Sequence, residues 1–128
     1  MAEGAPALMT QQRAQHALAV VNRAAASADA GKYRQHARQL GPAILINGLG
    51  QALATAAATA DSQPLYRDLS EWLCDTCPWS PVHGASNAIA AIAEGDRASY
   101  MWAAEESLAW LEWVKKLAVA QIAEVAKP

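Results

Sequence analysis

The sequence predicts an all-α fold: a single compact bundle of about five to six helices over residues 1–128. Three observations carry that prediction. Apolar residues recur at three- and four-residue spacing through most of the chain, the pattern of helices that bury one face. Alternation with period two is nearly absent, and the apolar residues are dominated by alanine with no phenylalanine, which favours helix and gives strands little to pack with. With 53% hydrophobic residues in 128, the chain suits one domain with a sizeable core and is too apolar to be disordered.

The elements follow in order. Residues 1–9 read as a candidate disordered terminus, and Thr10 can cap a first helix to about Asp29 with Ala14, Ala17, Leu18, Val21 and Ala25 as its buried stripe. After Gly31, a short helix runs from about Lys32 to Leu40. Gly41 and Pro42 then introduce an uncharged helix to about Thr59, with Pro42 in the first turn, where its missing donor costs nothing. Ile44, Leu45, Leu49, Ala52, Leu53 and Ala56 follow helical spacing within it. Gly48, Ala52 and Ala56 lie four apart, so close approach by a neighbour would offset the roughly 1 kcal/mol that a helical glycine costs relative to alanine. A break after Ile46, with Asn47 and Gly48 in a turn, is the alternative. Ser62 and Pro64 open the next helix, where Leu65, Leu69, Trp72 and Leu73 recur, and it stops near Cys77 and Pro78. The segment CPWSPVHGAS, with two prolines and a glycine, reads as the one long loop. A brief helix from about Asn87 to Ala93 follows. Gly95 and the capping residue Asp96 then precede the last and longest helix, to about Val125, with Met101, Ala104, Leu108, Leu111, Ala118 and Ile122 on one face.

The run from Gly41 to Ala60 carries no charge and is long enough to span a bilayer, but Pro42, an Ala- and Thr-rich second half, Asn47 and Gln51 argue for a buried helix. No second span or signal-peptide pattern accompanies it, so no membrane association is expected and a cytoplasmic location is.

Charge is unevenly distributed. Residues 1–60 hold five Lys or Arg against two acids, and residues 61–128 hold five against ten. Lys32, Arg34, His36 and Arg38 crowd the segment KYRQHAR, and no acid occurs between Gly31 and Ala60. This is either a solvated helix face or a patch for phosphates, with Arg13 and Arg23 on the first helix as further candidates. A net charge of -2 is too far from strongly basic for a free nucleic-acid binder, so any RNA contact needs partner subunits. The same asymmetry fits a head-to-tail contact between copies, pairing bases such as Arg13, Lys32 or Arg38 with acids such as Asp68, Glu71 or Glu105.

Catalytic signals are thin. Cys74 and Cys77 form CDTC, and His83 follows six residues later, but a closed zinc site requires a fourth ligand and a redox motif requires a sheet around it. His16, His36 and His83 are scattered, no Gly-rich phosphate loop follows a strand, and no Glu-x-x-His pair is present. Glu105 and Glu106 are adjacent and so point about 100 degrees apart on a helix. No catalytic residue, metal or cofactor is assigned. Trp102, Trp110 and Trp113 read as core filling, and Trp79 and Trp102 are the aromatic residues best placed to anchor a protein partner.

In this order, QRAQHAL, KYRQHARQLGPAILINGLGQALA, LYRDLSEWL and SYMWAAEESLAWLEWVKKLA resemble the small subunit of the Cmr-type, type III-B CRISPR RNA-guided effector complex. The resemblance spans nearly the whole chain, and its most specific piece is the Pro42 to Ala54 block. It implies a noncatalytic helical protein of antiviral defence that stacks in several copies beside the backbone subunits, the guide RNA and the target RNA, with cleavage left to other subunits. The chain departs from the family pattern at Thr55, where a large aromatic is usual, and in the Trp79 to His83 loop. The rival readings are a generic helical adaptor without nucleic acid and a metal or redox protein built on CDTC.

Overall fold

Proline, serine and glycine positions set where the helices start and stop. The computed structural model describes residues 5–123. Helix α1 (Ala5–Ala25) begins upstream of Thr10, with Pro6 tolerated in its first turn. It ends before Asp29 because Ser27 folds back, its backbone N–H and its hydroxyl both donating to the Ala24 carbonyl. Residues 1–4 of the expected disordered terminus lie outside the described residues.

Helix α2 (Ala30–Asn47) runs through Gly41 and Pro42, where the sequence predicts a boundary. Pro42 lies on the exposed side of the helix, so the carbonyl that loses its partner there can turn to water. The break comes at Gly48 instead, at φ 86 and ψ 158, a conformation reserved almost entirely for glycine. Gly48 closes α2 through its N–H to the Ile44 carbonyl and starts α3 (Leu49–Ala58) by accepting from Ala52 N–H. The uncharged run is therefore two elements. Ala52 and Ala56 are buried as the small-residue stripe predicts, but Gly48 is a corner and not a helix–helix contact.

Helix α4 (Gln63–Glu71) carries Pro64 in its first turn and buries Leu65 and Leu69. It continues into a π-helical turn, Trp72–Thr76, closed by Cys77 N–H donating to the Trp72 carbonyl, and buries Trp72 and Leu73 there. The following loop is tied down by Gly84 N–H on the Cys74 carbonyl at 2.6 Å. Asn87 caps α5 (Ala88–Glu94) by accepting from Ala90 N–H, and Asp96 caps α6 (Arg97–Gln121) by accepting from Ser99 N–H. Residues 124 and 125 of the expected last helix lie outside the described residues.

Helix α6 is the spine of the bundle, packed along both α1 and α2. The pairings Arg13–Glu106 and His16–Trp110 advance together, so α1 and α6 run the same way. Helix α2 runs opposite, with Gly48 beside Tyr100 at one end and Gly31 near Ile122 at the other. Two buried faces are rotated from expectation. On α1 the core face is His16, Ala17, Val20, Val21 and Ala24, leaving Leu18 and Ala25 exposed. On α6 it is Ala103, Glu106, Ser107, Trp110, Leu111, Val114 and Ala118, and Met101 is 51% exposed. Both rotations have one cause, a polar seam inside the bundle that an apolar count places outside. Among the described residues no strand occurs, and no helix is long and apolar enough to cross a membrane.

Candidate nucleic-acid and partner interface

Several charged residues that the sequence offers to partners are consumed within the chain. Arg13 donates from Nε and Nη2 to both oxygens of Glu106, the latter bond at 2.9 Å, and Trp72 Nε1–H donates to Glu106 Oε2 at 3.0 Å. The Glu106 side chain is only 5% exposed. One turn along α1, His16 Nδ1 accepts from Trp110 Nε1–H at 2.9 Å, and Nε2 lies 2.8 Å from Glu71 Oε1. The Trp110 donor fixes the tautomer: Nδ1 must be unprotonated, so the proton resides on Nε2 and is donated to Glu71. Burial lowers the His16 pKa, and the hydrogen bond to Glu71 only partly offsets this.

The seam continues outward. Arg23 Nη2 donates to Asp68 Oδ1 at 2.7 Å and lies 3.8 Å from Glu71, while Tyr33 Oη donates to Asp68 Oδ2 at 2.7 Å. Desolvation raises the Asp68 pKa against the pull of Tyr33 and Arg23, and burial also pushes the Tyr33 phenol up, so it stays a donor. Of the five cations proposed for RNA, Arg13 is thus committed to Glu106 and Arg23 is shared with Asp68 and Glu71. Of the three acids proposed for a neighbouring copy, Asp68 and Glu71 are engaged internally. Glu105 is exposed and has no ion-pair partner among the described residues.

Helix α2 presents the other three cations. Lys32 makes one long contact, 3.5 Å, to Asp61 across exposed surface. Arg34 and Arg38 lie one turn apart on one side of the helix. Arg34 Nε is buried without a hydrogen-bond partner, whereas Arg38 is exposed and has no carboxylate partner among the described residues. Arg38 also edges a groove of about 230 Å³ between α2 and α6, whose opposite wall carries Glu112 and Lys115. Lys115 Nζ donates to Glu112 Oε2 at 2.9 Å, and Lys116 Nζ lies 3.8 Å from Oε1. Sequence reasoning misses these α6 lysines as RNA candidates, because they sit in the acidic half of the chain. Only antiparallel packing of α6 on α2 brings Lys115 across the groove from Arg38.

The aromatic candidates are less open than a loop position implies. Trp79 packs edge-on to Trp72, with ring centroids 5.6 Å apart, and Trp102 is half-buried against the core. Trp113, at 37%, is the tryptophan that qualifies as exposed. The most exposed of the large apolar side chains among the described residues are Leu45 and Ile46, 73% and 80% exposed, just before the Gly48 corner. Thr55, the departure from the family pattern, is exposed at the wall of a second groove of about 200 Å³ between α2 and α3.

The CDTC motif is turned inward. Cys74 and Cys77 are buried free thiols whose pKa values desolvation pushes up to about 11, so neither supplies a thiolate at neutral pH. His83 Nδ1 lies 3.3 Å from the Cys77 carbonyl, occupied with backbone. Among the described residues no three His, Cys, Asp or Glu side chains converge in a way that could hold a metal ion.

Comparison with known proteins places this arrangement. Residues 9–121 match the family model described as CRISPR-associated protein (Cas_Cmr5). Among solved structures, the fold is similar to the X-ray crystal structure of a CRISPR-associated Cmr5 family protein from Thermus thermophilus. That match has a TM-score of 0.77 at 30% identity and covers 89% of this chain and 97% of the other. Comparison with curated proteins gives no match. Matched along nearly its whole described length by the family model, and sharing its helical fold with a solved member, the chain belongs to the Cas_Cmr5 family of CRISPR-associated proteins.

Proposed function

We propose that this chain is the noncatalytic small subunit of a cytoplasmic type III-B Cmr effector complex in antiviral defence. In this reading it binds the other subunits and copies of itself, and its α2 helix lies against the guide RNA and target RNA. One observation carries the RNA part: once the fold has spent Arg13 and Arg23 on internal carboxylates, α2 still presents Arg38 exposed and unpaired among the described residues, one turn from Arg34. Arginines so placed contact phosphates and read no sequence. The isolated subunit, with a net charge of -2, should bind RNA weakly. The contact between copies draws on Glu105 for register and on the exposed Leu45 and Ile46, with the half-buried Trp79 and Trp102, for apolar area.

The test is target-RNA binding by the reconstituted complex carrying Arg34→Glu and Arg38→Glu. Two lost phosphate contacts should lower the slope of log affinity against log salt by about 1.5 and leave guide-directed preference and the helical circular dichroism unchanged. An unaltered affinity and slope would remove α2 from the RNA face.

A further inference from the structure

We infer that the RNA-contacting surface is composite, formed by α2 together with Lys115 and Lys116 of α6, and that Glu112 holds these lysines in place until a phosphate displaces it. This rests on the α2 reading above and extends it to a second helix.

The argument begins with the groove between the two helices. Arg38 stands on one wall and Lys115 on the other, and Glu112 is the one acidic side chain lining it. That single carboxylate answers two lysines, through one short contact and one long one. Two cations, Arg38 and Lys115, thus line the groove with one anion; Lys116 shares that anion from outside the groove, and Arg34 lies one turn from Arg38 on α2. All three members of the lysine–glutamate set are substantially exposed, at 40%, 73% and 58% of their side chains for Lys115, Lys116 and Glu112. Ion pairs so exposed to solvent are weak, so a phosphate can exchange for the carboxylate at little cost.

The groove's chemistry favours a polyanion with an extended backbone. Its floor is Gly41, Pro42, Leu45, Leu108 and Leu111, which offers no side-chain hydrogen bond, so recognition rests on the cationic rim. A rim of donors over an apolar floor suits ribose-phosphate passing along the seam without base readout. An acidic protein segment would meet the same rim, and the experiment separates the two.

The assay is target-RNA affinity across a salt series for the reconstituted guide-loaded complex, with Lys115→Glu/Lys116→Glu beside Arg34→Glu/Arg38→Glu. The lysine pair should lower affinity about tenfold or more and reduce the salt slope by about 1.5, matching the loss of two phosphate contacts. Lys115→Arg/Lys116→Arg should restore both. Glu112→Gln should tighten binding about threefold by removing the competing carboxylate. If the arginine pair weakens binding and the lysine pair does not, the composite surface is wrong and the α2 reading survives. If neither matters, both fall. If the lysine pair stops the subunit from entering the complex, while complexes that do form bind RNA normally, the groove is a protein-docking site and the inference is overturned.

Discussion

Arg13→Met should destabilise the isolated protein far more than loss of an ordinary surface arginine. Glu106 is 5% exposed and receives three hydrogen bonds, two from Arg13 and one from Trp72. Methionine keeps much of the aliphatic packing but removes the cation and two donors, leaving a buried carboxylate with one indole N–H. Two charge-assisted bonds at about 1.5–3 kcal/mol each agree with the about 3–5 kcal/mol measured for breaking buried ion pairs. Arg13 itself keeps 17% exposure, which places the expectation near the lower end, about 3 kcal/mol. In a domain of this size that is roughly 9–15 °C in Tm. Urea unfolding at pH 7.5, followed by circular dichroism and by tryptophan fluorescence, reads it, since Trp72 and Trp110 both border the seam. Adding Glu106→Gln should recover stability, because the amide still accepts from Trp72 without needing a counter-charge. A loss under about 1 kcal/mol for Arg13→Met, or strict additivity in the double variant, would refute the claim that this pair is a buried, coupled unit.

Two further outcomes follow from the same geometry. Because burial holds the folded His16 pKa below its unfolded value of about 6.5, the unfolded chain takes up a proton first on acidification. Stability should therefore be constant with respect to this group above about pH 6.5 and fall as the pH drops below it. His16→Gln should flatten that part of the profile, and an unchanged slope would mean that another group sets it. Gly48→Ala should cost about 1–3 kcal/mol from backbone strain at φ 86, not from crowding, since an added Cβ would meet only Tyr100 Oη at ordinary contact distance, 3.4 Å. Unchanged thermal unfolding would show that the corner relaxes freely.

Element order was legible because it depends on local chemistry. Pro64, Asn87 and Asp96 each act within one helical turn, and each sits where its local preference puts it. The Gly48 corner was visible as an alternative, yet Gly41–Pro42 looks like the stronger boundary because the rules for proline are local too. What decides between them is tertiary: α3 folds back beside α2, and Tyr100 Oη accepts from Gly50 N–H at 3.3 Å just past the corner. Helix faces were less legible than helix ends. Scoring α1 by apolar residues puts Leu18 inward and Arg13 and His16 outward, whereas the fold inverts this because Glu71 on α4 and Glu106 and the Trp110 N–H on α6 wait to satisfy them. Nothing in the local sequence marks such partners, which lie as many as 94 positions away.

The charge asymmetry shows most clearly how folding rewrites a sequence signal. Read linearly, a basic half and an acidic half make an extended dipole that would order copies head to tail. In the folded chain α6, from the acidic half, lies between α1 and α2, from the basic half, and the pairs Arg13–Glu106, His16–Glu71, Arg23–Asp68 and Lys32–Asp61 all join one half to the other. The asymmetry is thus largely an instruction for intramolecular packing, and the dipole it implies is mostly cancelled before any copy meets another. Only charges left over after that pairing can act between molecules. Around the α2–α6 groove these are Arg34, Arg38 and the two lysines that share Glu112, a cationic remainder bordering the exposed apolar corner of Leu45 and Ile46. Rim charge steers encounter and register while buried apolar area supplies affinity. On the function proposed above, the two surfaces would divide the work: RNA backbone at the cationic rim, and a neighbouring subunit at the apolar corner two helical turns along α2 from Arg38.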